Sequence, residues 1–332
     1  RNTEPIAAPG SAMATACDDL AVTIHVNADN FALAETHRMM RDLQADAGGV
    51  NRFLHNRQPA AVDNQTVIRL NRDTLYSFAV VDISAGATFT IPEHTKRYLS
   101  VMVVNEHHYI NAIFHDAGEH SLSVERLGTA HVVLAIRTLV DPGDPADIAA
   151  VARLQDQIRL ECGSSTFFEL PDYDSTSLDE TRDALLSLAR NLRGFDRMFG
   201  SKEQVDPVRH LIGTAAGWGG LPSSEASYIG VDPRLPVGTY ELTIGDVPVD
   251  GFWSISVYNA AGFFEPNDQG AYTINNLTGI RNPDGTITVR FGAFADGTPN
   301  VLPITEGWNY LVRLYRPRAE ILDGRWTFPT LS

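Results

Sequence analysis

Two stretches constrain this chain more than any others: Gly251 to Pro266, GFWSISVYNAAGFFEP, and Val67 to Ile83, VIRLNRDTLYSFAVVDI. Each is a strand pattern rich in β-branched and aromatic residues, and each ends in or is interrupted by a cluster of polar and aromatic side chains. Such clusters are where a β scaffold displays a pocket.

The same period recurs along the chain. Strands are expected within Gln65 to Ile83, Thr88 to Pro92, Tyr98 to Phe114 and His131 to Val140, with Gly and Pro at the breaks. From Tyr228 onward β returns, most clearly in Gly238 to Ile244, Gly251 to Asn259, Thr286 to Phe291 and Trp308 to Tyr315, with a tight turn at Asn282 to Gly285. Helical signals are fewer. Asn30 opens a helix to about Ala47, with Leu33, His37, Met40, Leu43 and Ala47 as its stripe and Gly48 and Gly49 as its stop. His37 in that stripe reads as a hydrogen-bonded core residue. Asp144-Pro145 opens a second helix, and a third starts near Ser177. Arg316 to Trp326 holds a short final turn. No internal repeat is evident. The expected fold is mainly β (α+β): two β-sandwich or jelly-roll-like domains, residues 14–140 and 216–332, joined by a helical connector, 141–215. A chain of 332 residues suits two cores better than one.

Charge narrows the partners. The formal net charge of −15 repels nucleic acid and anionic lipid. No apolar run approaches the roughly 20 residues that cross a bilayer. A small neutral or cationic ligand, or another protein chain, fits better, and the small-molecule partner could be joined by a second copy of the chain in a homo-oligomer. Cys17 and Cys162 form no disulfide framework and are expected as free thiols. Residues 1–12 read as a vector scar before a natural start at Met13, which implies a cytoplasmic protein; the alternative is an exported one already trimmed.

Four blocks together carry a family resemblance. They are Asn71 to Tyr76 (NRDTLY), Asn105 to Tyr109 (NEHHY), Gly217 to Pro222 (GWGGLP), and a last set from Asp250 through Asn267 that closes at Leu314 to Ile321. The chain resembles a tandem family of bacterial proteins, a DUF1254 region followed by a DUF1214 region, from Val22 to Phe328. The resemblance implies two β-rich domains, the second like a jelly roll. It implies no agreed activity, although some relatives carry a carboxylesterase label.

The residues test that label only in part. No G-x-S-x-G elbow occurs, and the alternation of strand and helix that supports it is missing. Six of the ten histidines lie between His94 and His131, but neighbours on a strand point to opposite faces, so His107 and His108 cannot share one. His115 and His120 flank a loop and could converge on an ion with a carboxylate; no metal ligand is assigned. The NRDTLY block is the better candidate. Alternation places Arg72, Thr74 and Tyr76 on one face and Asn71, Asp73 and Leu75 on the other. Arg72 would anchor a ligand oxygen, with Thr74 and Tyr76 donating beside it. The structural alternative is an Arg–Asp pair tying the strand to a neighbour. His107 and Tyr109, on one strand face, form an acid–base pair, with Asp73 as third catalytic candidate. Trp218, Tyr258 and Asn259 would complete the wall. Phe252, Ser254, Ser256 and Tyr258 face opposite to Trp253, which belongs to the core, and Arg313 with Tyr315 reads as a seam. The expected role is an enzyme acting on a small organic molecule by hydrolysis, in a pocket where the β domains meet. A non-catalytic ligand- or protein-binding role is the alternative, and a metal-dependent oxygenase comes third. No cofactor is specified.

Overall fold

The computed structural model describes residues 23–65 and 68–331, in which fifteen strands form four sheets. Met13, Cys17, Thr66 and Val67 lie outside the described residues. The chain is mainly β, as its period-2 pattern requires.

In the first half a five-stranded sheet runs in the order β1 (Leu54–His55), β2 (Thr74–Asp82), β7 (His131–Leu139), β4 (Leu99–Asn105), β5 (Ile110–Phe114). A three-stranded sheet, β6 (Gly118–Leu122), β3 (Ala87–Ile91) and β8 (Arg159–Cys162), packs against it. Alternation sends Val81, Val101, Leu134 and Ile136 inward to meet Phe89, Ile91 and Leu122. The second half repeats this. Its four-stranded sheet is β12 (Thr273–Asn275), β11 (Trp253–Tyr258), β15 (Asn309–Tyr315), β9 (Ala226–Val231). Its three-stranded sheet is β10 (Tyr240–Ile244), β13 (Ile287–Phe291), β14 (Val301–Leu302), with β13 and β14 parallel. Trp253, Ile255 and Val312 meet Leu242, Val289 and Phe291 between them. Each such side chain contributes about 1.5–3 kcal/mol by leaving water.

The two halves are copies of one plan. The order β2-β7-β4-β5 matches β9-β15-β11-β12. The registers match as well: Arg137 lies between Tyr76 and Ser100, and Arg313 between Tyr228 and Ser254. Ile91 opposes Gly118 as Ile244 opposes Ile287. The Val140 amide donates to Asp73 O at 2.9 Å, and the Arg316 amide to Glu225 O at 2.8 Å. Even the turns agree. Asn105 Oδ1 accepts from the amides of His107 and Tyr109, and Asn259 Oδ1 from those of Ala261 and Phe263. In each turn the residue three places on has positive φ, His108 at 62° and Gly262 at 88°. Once aligned, YLSVMVVN (Tyr98–Asn105) and FWSISVYN (Phe252–Asn259) share only Ser, Val and Asn. The duplication escapes sequence reading because strands conserve inside and outside, not identity.

That turn overturns one expectation. Tyr98 to Phe114 is a hairpin, so His107 and Tyr109 are turn residues and share no strand face. Among the described residues after Gln65, the first strand likewise begins at Thr74. Asn71 Oδ1 accepts the Asp73 amide at 2.8 Å, a local turn that keeps Asn71 to Asp73 out of the ladder.

Helices fill the remaining sides. α1 (Phe31–Asp46) buries Phe31, Ala34, His37, Met40 and Gln44, a stripe rotated from the expected one, with Leu33 and Leu43 half-buried. α2 (Val124–Leu127) is a single turn. α3 (Pro145–Gln155) starts as expected, its Asp144 carboxylate accepting from the Ala146 amide. α4 (Ser175–Ala189) and α5 (Pro207–Gly217) pack on α1 through Leu178, Leu185 and Ile212. The Asp206-Pro207 start of α5 repeats the signature of Asp144-Pro145, yet no helix was expected there. β8 also lies within 141–215 and pairs with β3, so that stretch is not purely helical. α6 (Ala319–Leu322) is the expected final turn.

Candidate functional site

The large sheets turn their second faces toward each other. One presents Tyr76, Arg137 and Ser100 as a cross-strand row, the other Tyr228, Arg313 and Ser254. The Tyr98 ring meets Phe252 at 5.2 Å and Tyr315 at 5.3 Å. Tyr98 and Phe252 are equivalent residues, so a pseudo-twofold axis passes near their contact. The exchange across it is reciprocal. Asp73, just before β2, reaches the second sheet, where its Oδ1 accepts from Thr273 Oγ1 at 3.0 Å and Asn275 Nδ2 at 3.1 Å. Glu225, just before β9, reaches the first sheet, where its Oε2 lies 2.8 Å from His115 Nε2.

The two buried guanidinium groups differ in what they hold. Arg313 donates to Ser256 Oγ at 2.9 Å, Arg69 O at 2.8 Å, Leu70 O at 3.2 Å and Tyr258 OH at 2.8 Å. Arg137 donates to one oxygen, Gly219 O, at 2.7 Å, and its guanidinium lies 5.4 Å from the Tyr76 ring centre. No carboxylate among the described residues pairs with it. Burial opposes its charge, and the tyrosines around it, Tyr76 first, hold the charge in place. Burial pushes the Tyr76 phenol up, but Arg137 and then Thr74 and Asn71 outweigh that, so the phenol lies below its ordinary range. Burial also raises the Asp73 carboxyl, against the pull of Arg313.

The GWGG loop sets Arg137. Gly219 has φ 77°, which glycine adopts without strain, and an added Cβ on Gly220 would lie 2.3 Å from the Phe199 ring. The Gly219 amide donates to His108 Nε2 at 2.9 Å. A neutral His108 therefore carries its proton on Nδ1 and donates to Thr214 Oγ1 at 2.8 Å. His108 stacks between Trp218 and His210, both at 5.4 Å, and Tyr109 stacks on His210 at 4.7 Å. Burial, and then His210, hold the His108 imidazole well below its usual range. The unfolded chain takes up this proton below about pH 6.5 and the folded one does not, so the stability His108 contributes is complete above that pH and falls away beneath it. Asn tolerates the positive φ at this position. We expect urea unfolding between pH 7.5 and 5.5 to show a loss about 1 kcal/mol smaller in His108→Asn than in the wild type. Equal pH slopes would show that position 108 is not a buried neutral histidine.

The structure sorts the predicted residues unevenly. Asp73, Thr74 and Tyr76 reach the facing sheets. Asn71 joins them, donating to Tyr315 OH at 2.8 Å, so Asn71 and Asp73 both lie contrary to their predicted side. Arg72 does not. It donates to Ala60 O and lies 5.3 Å from the Tyr272 ring, so neither the ligand anchor nor the Arg–Asp pair forms. His107 is exposed, with its ring 6.4 Å from that of Tyr109, and Tyr109 also stacks on His210. Trp218 is packing; its indole N–H donates to Thr36 Oγ1 at 3.0 Å. Tyr258 is buried and donates to Leu70 O at 2.8 Å. Asn259 organises its own turn. Trp253 is core and Arg313 with Tyr315 is a seam, both as expected. His37 is core too, 3.0 Å from both Tyr173 OH and Glu106 Oε2. His115 and His120 do not converge: His120 packs on Phe114 at 4.6 Å. No group of three or more His, Cys, Asp or Glu among the described residues is placed to hold a metal. The one Ser–His contact among them, His55 Nδ1 to Ser77 Oγ at 2.7 Å, buries Ser77 completely. Cys162 is half-buried, and burial pushes its thiol up to about 11. Sequence reading missed Arg137, Ser100, Tyr98 and Tyr228. The available signal was Arg137 itself, the lone charge inside the apolar run of β7.

No helix among the described residues is long and apolar enough to cross a membrane. No curated protein matches the chain. Solved structures are similar to it, two of them as follows. The VPA0106 protein from Vibrio parahaemolyticus has 17% identity and a TM-score of 0.71, over 92% of this chain and 97% of that one. A putative uncharacterized protein from Burkholderia cenocepacia has 15% identity and a TM-score of 0.52, over 92% and 87%. At these identities the likeness concerns the fold alone. Residues 50–113 match the protein of unknown function family DUF1254 and residues 235–319 the protein of unknown function family DUF1214. The chain therefore belongs to the proteins that carry DUF1254 and DUF1214 in tandem, one on each copy of the duplicated β plan.

Proposed function

We propose that the protein binds and acts on a small organic molecule in the seam between the two large sheets, beside Arg137. One observation carries this reading: a buried guanidinium without a carboxylate lies next to Tyr76 and Tyr228, which are only half-buried. An uncompensated buried charge is costly, and a chain that keeps one gains by a ligand that answers it. Tyr76 takes the acid–base role, because Arg137 stabilises its phenolate. Hydrolysis is the reaction we carry forward, with water rather than a serine as the attacking group, since Ser77 has no accessible surface.

A thermal-shift screen of small acids and esters tests this. Compounds that stabilise the wild type are expected not to stabilise Arg137→Met. Tyr76→Phe should keep their binding and lose turnover. Compounds that stabilise the Arg137→Met protein equally would end the reading. Retained turnover in Tyr76→Phe would leave binding at the seam without this role for the phenol.

A further inference from the structure

The duplication provides an internal standard for Arg137. Its counterpart Arg313 has four oxygen acceptors. The other half also lends this row the Asp73 carboxylate, whose Oδ1 accepts from Thr273 Oγ1 at 3.0 Å and from Asn275 Nδ2 at 3.1 Å, Asn275 being the cross-strand neighbour of Ser254. Arg137 has one oxygen acceptor, and where Arg313 meets Ser256 Oγ it meets only Met102 Sδ, at 4.0 Å. The carboxylate equivalent to Asp73 is Glu225, and His115 draws it aside. Ser100 and Tyr98 are buried next to Arg137, and their hydroxyls approach each other without the alignment of a hydrogen bond. One copy of the Tyr–Arg–Ser row thus holds a carboxylate from its own chain. The other has the same donors and no carboxylate.

Resting on the seam reading above, we infer that the ligand is a carboxylate, lodged at the Ser100 end of the Arg137 row as Asp73 is lodged at the Ser254 end of the Arg313 row. The Tyr98 hydroxyl is a further donor to it. Tyr76, Phe78 and Tyr228 offer aromatic surface to the rest of the molecule, so an acid with a flat apolar body suits the site. Arg with two hydroxyls matches a carboxylate because all three donate and none competes as an anion.

The test compares acids with their neutral isosteres. Benzoate and phenylacetate are titrated into the full-length protein beside benzamide and phenylacetamide, with binding read by ligand-observed NMR and by thermal shift. The acids are expected to bind at least tenfold more tightly than the amides. Ser100→Ala and Tyr98→Phe should each weaken the acids about three- to tenfold while leaving the amides unchanged. Arg137→Met should abolish acid binding. Amides that bind as tightly as acids and are lost in Tyr228→Ala would overturn the carboxylate class and leave the seam reading intact. Acids that bind Arg137→Met as well as wild type would overturn both. Failure of both acids to bind the wild type would also overturn the carboxylate class.

Discussion

Arg313→Met is expected to cost about 3–5 kcal/mol of folding stability, the usual penalty for breaking a buried charged network from one side. The loss has three sources. Its four acceptors include the carbonyls of Arg69 and Leu70, which belong to the other half, so the substitution uncouples the halves directly. Ser256 Oγ and Tyr258 OH lose a charged donor. Asp73, already raised by burial, loses the cation that opposes that rise. A buried group left unsatisfied costs ~1–3 kcal/mol on its own. Urea unfolding checks the outcome, and a loss below ~1 kcal/mol would show that contacts other than Arg313 hold the halves together. The double substitution Asp73→Asn with Arg313→Met should recover part of the loss, because it removes the carboxylate as well as the guanidinium.

The same substitution at the equivalent residue should do nearly the opposite. Arg137→Met is expected to leave stability within ~1–2 kcal/mol of the wild type, and to weaken ligand binding at least about 100-fold, or ~2.7 kcal/mol. Arg137 is buried, with 8% of its surface exposed, and lacks a carboxylate, so a methionine of similar length removes a desolvation cost. Against that stands one lost acceptor, Gly219 O. The two terms are of similar size and opposite sign. Two arginines in matching strands, in the same register, thus separate by role: one fastens the molecule, the other is kept for a ligand. A loss of 3 kcal/mol or more in Arg137→Met would instead make both arginines structural fasteners.

The mainly β class, four strands of the second half (β10, β11, β13 and β15) and two helix starts were legible in the chain. Period-2 alternation, Asp-Pro caps and glycine stops act over a few residues, and the sequence carries them directly. Alternation also sorted β11 correctly, placing Trp253 in the sandwich core and Phe252, Ser254, Ser256 and Tyr258 on the face that meets the other half. It failed wherever a side chain intervened in the backbone. Asn105 turns the chain at its own side-chain oxygen, and Asn71 does the same before β2, so the faces assigned to His107, Tyr109, Asn71 and Asp73 were wrong.

The sequence by itself determined which residues could form strands and which side each strand residue would take. Only the tertiary structure decided that two copies of one sheet stand face to face, that Arg313 finds two of its four acceptors in the loop before β2, and that Arg137 finds one carbonyl and no carboxylate. Local pattern follows from bond geometry within a few residues. Whether a buried charge is answered depends on groups from 55 to 244 residues away along the chain, and no spacing records them.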